Sequence, residues 1–521
     1  MCLLLRCDSN KIYLYPAAFI VGGIFNKQCN PNGNYNFKVS SMPFLSVIAK
    51  IIWRFLPSPV RSRMPYSLKT RIQEMVMFGF FNRQHLDSYV TSIINRVPVR
   101  CRPVSVSDSG KLLYILNNSL PYSSNGYAIR SHGIIRGFRS TDIDVITYTR
   151  AGYPEDLLGW GREPIPEFDD IDGVRYHRIR SPAFISHFDE SYIFEAVKSI
   201  RTIIELQRPA YVMAASNYYN ALPALIAARE MGLPFIYEVR GFWETTQASR
   251  DETFKSSSSF QAQVALESKT AQEADLVLTL NSGMRAELLR RGVSPDNIHL
   301  LPNSVEPSLF TSLERDADLA KELGIPDNVP IIGYIGTFVD YEGLDDLIRA
   351  CALLKAQGIE FRLLLVGNDN PSSSALNGSV TDLIRSCARD GHLADWLIMP
   401  GRVPFERVRG YYSLIDIVPF PRKPWEVCEL VSPLKPLESM MMAKPVIVSD
   451  VAALKDMVSD GETGLLFEKG DIYELADSLK KLITSAELRK LLGENAQRWV
   501  KTYRTWEYCV SKVTDNIKEL V

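Results

Sequence analysis

The sequence has no surplus of either charge: its 521 residues carry 59 Lys and Arg against 60 Asp and Glu. A chain so balanced is not a polyelectrolyte built to coat nucleic acid, and with 46% apolar residues it is not a charge-rich disordered chain either. The eight cysteines (Cys2, Cys7, Cys29, Cys101, Cys351, Cys387, Cys428 and Cys509) form no close pair, so neither a disulfide framework nor a zinc cluster is expected. A reducing cytoplasm is the default compartment. The six histidines show no HExxH-type spacing, and no metal site is expected. No uncharged apolar run reaches the roughly 18 residues of a membrane span. The apolar stretches of the first 25 residues are broken by Asp8 and Lys11, which argues against a secretory leader. Also missing are a G-x-G-x-x-G after a strand and a G-x-x-x-x-G-K-[ST], so dinucleotide redox chemistry and P-loop hydrolysis lose support.

What is present is organised in two series. At about 150 residues per domain, the length implies two or three domains. From Lys111 onward, apolar runs alternate with helical patterns. Strands are predicted at 112–116, 144–148, 211–215, 235–239 and 276–280, with helices at 127–138, 192–207, 221–231, 260–273 and 283–291. A second series follows Pro302, with strands at 331–335, 362–366, 397–400, 417–420 and 445–448, intervening helices, and a helical tail from Asp471. This alternation predicts an α/β fold of two Rossmann-like, doubly wound domains facing across a cleft, with ligands at the carboxyl ends of the strands. The expected divisions are an N-terminal extension (1–110), a first Rossmann-like domain (111–305), a second (306–490) and a helical tail (491–521). In residues 43–83, Trp53 and several Ile and Phe residues are interleaved with Lys50, Arg54, Arg61, Arg63, Lys69 and Arg71, against the single acid Glu74. Two readings stay open for this segment: contact with an anionic membrane surface, or a helix packed against the core.

The most informative segment is 417–450. A loop after a strand ends in Ser432-Pro433-Leu434-Lys435, and Pro436 suits the first position of a following helix. Helix-start amides and the charge of Lys435 favour a phosphate or diphosphate. Glu438, less than a turn later, suits such an anion poorly unless its carboxylate accepts hydroxyl hydrogen bonds from a polyol such as ribose. Together these features describe a nucleotide sugar.

From these residues the chain resembles the retaining family-4 glycosyltransferases of the two-Rossmann GT-B architecture. The resemblance spans roughly residues 111–500 and rests on an ordered set of motifs. They are Pro302-Asn303-Ser304-Val305-Glu306, the run from Gly333 through Gly336 to Gly343, Leu363 to Gly367, Gly401-Arg402-Val403, the 432–450 segment and Asp460 to Phe467. Tyr237 to Glu244 together with Ser432 to Glu438 look like bacterial enzymes that assemble surface polysaccharides. The resemblance implies that Glu438 binds the donor ribose and that Ser432, Leu434 and Lys435 belong to the diphosphate loop. It places Gly336, Thr337 and Gly367 at the donor cleft, Gly401, Arg402 and Val403 beside the base, and Gly126 in the glycine loop of the first domain. It sets Glu238 and Arg240 at a strand end facing the transferred sugar.

Two departures stand out. Where relatives carry an Arg and a Lys against the diphosphate, this chain has Thr337 and Glu342. Lys435, Arg240, Arg422 and Lys423 are the remaining cations, and Lys435 is the expected substitute. The first acid of the family's glutamate pair falls on Leu430, with Glu429 displaced by one position, either binding sugar hydroxyls or solvated. Plainer roles compete. Glu438 suits a helix dipole, Arg240 suits a pair with Glu244, and Trp243 and Trp425 suit either a sugar face or the interface between domains.

The resulting expectation is a retaining hexosyltransferase that uses Glu238, Arg240 and Lys435 in catalysis. It moves a sugar from a nucleoside diphosphate donor to a glycan or lipid-linked acceptor, with no cofactor and no metal. The expected location is cytoplasmic, with the inner membrane face as a variant. A nucleotide-sugar 2-epimerase and a non-catalytic nucleotide-sugar-binding scaffold are the alternatives.

Overall fold

The computed structural model describes residues 6–8, 11–13, 83–99, 110–155, 165–182, 190–369 and 379–521. Most of the expected extension lies outside these residues, including 43–82, on which the expectation of membrane contact rests. The chain divides into two units. In the first (Met1–Met64 and Leu68–Phe81), β1 (Arg6–Asp8) pairs antiparallel with β2 (Lys11–Tyr13). The second unit (Pro65–Ser67 and Asn82–Val521) carries both α/β halves. Among the described residues no helix is long and apolar enough to cross a membrane.

The first half is built on eight strands: β3 (Lys111–Leu116), β4 (Asp144–Thr149), β5 (Phe168–Ile171), β6 (Val174–Arg178), β7 (Tyr211–Ala215), β8 (Phe235–Val239), β9 (Leu276–Thr279) and β10 (Ile298–Leu300). Their order in the sheet is β10-β9-β8-β7-β3-β4-β6-β5. Helices cover both faces, so β7 and β8 are buried along their whole length and are apolar apart from Glu238 near the end of β8. The edge strand β5 runs antiparallel to β6. The Asp172-Gly173 turn joins them with both residues at positive φ (50° and 74°), the backbone that a two-residue hairpin needs. That Asp-Gly pair was the signal for a hairpin missing from the strand prediction.

The second half has β11 (Ile331–Ile335), β12 (Arg362–Val366), β13 (Leu397–Gly401), β14 (Val418–Phe420), β15 (Val446–Ser449) and β16 (Leu465–Phe467). They form two parallel ladders, β11-β12-β13 and β14-β15-β16, joined by a bridge between Ile332 and Ile417. The strand order therefore reverses between β11 and β14. In an open α/β sheet a ligand crevice lies outside the carboxyl ends of the strands at such a reversal.

The expected tail divides. The helix Ala486–Tyr503 packs on the second half, whereas Trp506–Lys518 returns to the first half and lies along the helix Gly126–Phe138. Glycine makes that contact possible, because a Cβ on Gly133 would sit 2.2 Å from the Trp506 ring. The two chain crossings run side by side, with the Val305 amide donating to the Arg504 carbonyl at 2.9 Å.

Candidate active site

At the carboxyl ends of β11 and β12 two glycines form a close-packed ledge. A Cβ on Gly367 would stand 1.8 Å from the Gly336 carbonyl oxygen, and one on Gly336 would stand 2.1 Å from Lys435 Nζ. Side-chain-free backbone here lets the lysine lie across the end of the sheet. Lys435 Nζ donates to the Tyr334 hydroxyl at 2.9 Å. An ammonium has three donors, so two are left for a ligand. Thr337 is exposed beside this ledge, Arg402 is exposed, and Val403 is half-buried against the core of the second half.

Lys435 opens the helix Lys435–Met441, whose start has Pro436 and no side-chain cap. Glu438 follows on the same first turn. No donor reaches its half-buried carboxylate among the described residues. Burial pushes its pKa up to about 7, and the opposing charge of Lys435 only partly offsets this.

The other candidate cations are occupied. Arg422 makes a buried two-point pair with Glu342 (2.7 and 3.2 Å) and donates to the Val431 carbonyl at 2.6 Å, while Lys423 pairs with Asp345 at 2.9 Å. Burial raises the Glu342 carboxyl, but Arg422 and then Lys435 pull it below its ordinary value. The negative charge of Glu342 is thereby neutralised inside the protein. Glu429 is committed as well. It accepts from the Ala452 amide at 2.7 Å, at the start of the helix Ala452–Lys455, and from Lys469 Nζ at 2.6 Å.

Glu238 and Arg240, expected to face the transferred sugar, lie at the carboxyl end of β8 and are buried. Glu238 is fully buried, held by Arg130 at 2.8 Å, by Arg240 at 2.7 Å and by the Tyr114 hydroxyl. Burial alone would raise its pKa, but the two arginines bring it down to about 2. Arg240 also donates to the Tyr127 carbonyl (2.8 Å) and to Ser131 Oγ (2.9 Å), and its guanidinium covers the Tyr127 ring at 4.0 Å. The expected alternative partner, Glu244, instead pairs with Arg291 at 2.8 Å. Both side chains are thus committed mainly to partners within the first half.

That network nevertheless leads to the site through residues the sequence reading did not assign. Arg130 Nη1 donates to Asn303 Oδ1 at 2.9 Å, and Asn303 Nδ2 donates to the Ser432 carbonyl at 2.7 Å. Asn281 Nδ2 donates to the Leu430 carbonyl and to Ser432 Oγ, both at 2.7 Å. Two asparagines of the first half thus clamp the Ser432 loop of the second. Gly126 closes the site from the first half, where a Cβ would meet Leu434 at 3.8 Å. Its helix is capped by Asn125, whose side chain accepts from the Ala128 amide. Asn303 lay within a quoted motif, but nothing local to the sequence marks Asn281 or Arg130 as partners of residues more than 100 positions away.

Residues 125–304 match the family model described as a glycosyl transferase 4-like domain, and residues 316–499 match that of glycosyl transferases group 1. The chain belongs to the family-4-like GT-B glycosyltransferases. It is similar to a D-inositol 3-phosphate glycosyltransferase of Stackebrandtia nassauensis, with 26% identity over 368 residues, covering 66% of this chain and 77% of that protein. In fold it is similar to sucrose-phosphate synthase from Thermosynechococcus elongatus (TM-score 0.61, 20% identity, 79% of this chain and 98% of that one). A structure of Anabaena HepE in complex with UDP gives the same TM-score of 0.61 at 14% identity, over 78% of this chain and 100% of that one. For this glycosyltransferase, the two matched regions divide between residues 304 and 316, close to the chain crossing at Val305.

Proposed function

We propose that this glycosyltransferase transfers a hexosyl unit from a nucleoside diphosphate sugar to a hydroxyl of a glycan or lipid-linked acceptor, with retention of configuration. The observation that carries the donor is Glu438. It is a half-buried carboxylate without a donor among the described residues, one helical turn from a lysine with two N–H groups that no described residue accepts, at the reversal of strand order. A ribose diol supplies the two hydroxyl donors that the carboxylate lacks, and a diphosphate supplies the acceptors for Lys435. The relative solved with UDP supports the same class of donor.

In this reading the bond between the anomeric carbon and the phosphate oxygen breaks while the acceptor oxygen bonds to the same face. The acceptor proton passes to the departing phosphate. Lys435 balances the charge that develops there, and the loop fixed by Asn281 and Asn303 holds the diphosphate in place before the reaction begins. Glu238 and Arg240 act at a distance, by fixing Asn303 through Arg130. No metal is called for when a full positive charge already faces the leaving group.

Charge-assisted hydrogen bonds are worth about 1.5 to 3 kcal/mol, so Glu438→Gln is expected to weaken a UDP-sugar roughly ten- to hundredfold. The 2′,3′-dideoxy analogue should lose far less, because the bonds removed by the mutation are already absent. An equal loss for both ligands in this double cycle would reduce Glu438 to a structural residue and remove the ribose assignment.

A further inference from the structure

A cavity of about 500 Å³ opens between the two halves, lined from the first by Ser249, Arg250, Glu252 and Lys255 and from the second by Trp425 and Glu426. That volume suits a small ligand. Its charges are not equivalent. Lys255 and Glu426 satisfy one another across the cavity at 2.7 Å, and Glu252 is exposed to water. Arg250 is half-buried, and among the described residues its guanidinium has neither a hydrogen-bond nor an ion-pair partner. Its Nε is shut off from water with no acceptor. A guanidinium presents donors in a planar fork that fits a carboxylate or a phosphate, and a buried N–H left without an acceptor is costly. Its charge also acts on Tyr341, whose ring lies 5.7 Å from the Arg422 guanidinium, so the cavity adjoins the donor loop. Trp425 adds an aromatic surface, with Lys423 Nζ over its ring at 5.9 Å.

We infer that this cavity is the acceptor subsite and that the accepting sugar carries an anionic group, a carboxylate or a phosphate, which Arg250 binds while Trp425 packs against the sugar. The inference rests on the glycosyltransfer reading above and adds the class of acceptor. The sugar hydroxyls have Ser249 and Glu252 as partners, and the pairing of Lys255 with Glu426 leaves Arg250 as the cation that selects the anion.

The test is titration calorimetry on the full chain saturated with UDP, using glucuronic acid, glucose 6-phosphate and glucose as probes. At least one anionic sugar should bind about ten- to hundredfold more tightly than glucose, the range of a charge-assisted hydrogen bond. Preference for glucuronic acid identifies a carboxylate, and preference for glucose 6-phosphate a phosphate. Arg250→Gln should bring the preferred sugar to the level of glucose, and Arg250→Lys should restore part of the difference. Both variants should bind UDP and melt as the parent does, since the Arg250 side chain holds no partner among the described residues. Equal binding of all three sugars, or a preference that survives Arg250→Gln, overturns the inference while UDP binding leaves the donor reading standing. Failure of the parent to bind UDP overturns the donor reading, and the acceptor assignment falls with it.

Discussion

Two glutamates in this protein, Glu238 and the half-buried Glu438, have opposite chemistry, and their neighbours decide which. Burial raises the pKa of both. At Glu238 two arginines within 2.8 Å reverse that effect and hold the carboxyl near 2, whereas at Glu438 the more distant charge of Lys435 leaves it near 7. Glu238 is therefore a fixed anion that organises the first half, and Glu438 changes charge close to neutrality. The folded protein binds the Glu438 proton more tightly than the unfolded chain does. Its contribution to stability is present at low pH and is lost as pH rises from the ordinary carboxylate value toward about 7. Hydroxyl donors from a diol favour the ionised form, so binding a UDP-sugar at pH 6.5 should release a large fraction of one proton. Calorimetry in buffers of different ionisation enthalpy reads that release, which should shrink toward zero by pH 8.5 and be absent in Glu438→Gln. A binding enthalpy independent of buffer at pH 6.5 would show that the carboxyl does not change state.

At the scale of elements, the last helix belongs to a half that ended about 200 residues earlier in the sequence. Trp506 is 5% exposed, and its ring lies over Gly133, with the Arg130 guanidinium 5.7 Å from the ring centroid. Trp506→Ala should leave a cavity beneath the helix that carries Gly126 and cost about 3 to 5 kcal/mol. Chemical denaturation should register this as a lower midpoint, with a slope that reports whether the two halves still unfold together. A midpoint within error of the parent would mean that the terminal helix is only loosely docked. The Asp172-Gly173 turn illustrates the same scale from the sequence side. Its residue types specify a hairpin locally, but a search for alternating strands and helices passes over it.

Across the whole molecule, the Ser432 loop of the second half is held by residues of the first. Asn303 joins Arg130 of the first half to the Ser432 carbonyl of the second. Asn303→Ala leaves a buried donor and a buried acceptor without partners, which costs about 1 to 3 kcal/mol. It is expected to raise KM for the donor several-fold along with lowering the melting temperature. Steady-state kinetics beside thermal melting separates the two roles, because a lower melting temperature with unchanged KM would confine Asn303 to stability. The pair Lys255–Glu426 also bridges the halves, but both side chains are about half exposed, and such a pair contributes at most about 1 kcal/mol.

The sequence by itself determined the two-half α/β organisation, because strands covered on both faces must be largely apolar and helices that cover them must repeat with their own period. It also singled out the segment from Ser432 to Glu438 as the candidate site, because its loop, proline, lysine and glutamate are adjacent in the chain. Charge pairing was decided by the tertiary structure alone. Glu342 reads as an unfavourable replacement until Arg422, 80 positions away, is found against it, and Glu238 reads as a cleft acid until Arg130 and Arg240 enclose it. That Arg250 Nε has no acceptor among the described residues is likewise visible only once its neighbours are known. The field at a charged group is set by what the fold places within a few ångströms of it, and sequence neighbours are a small share of that surrounding.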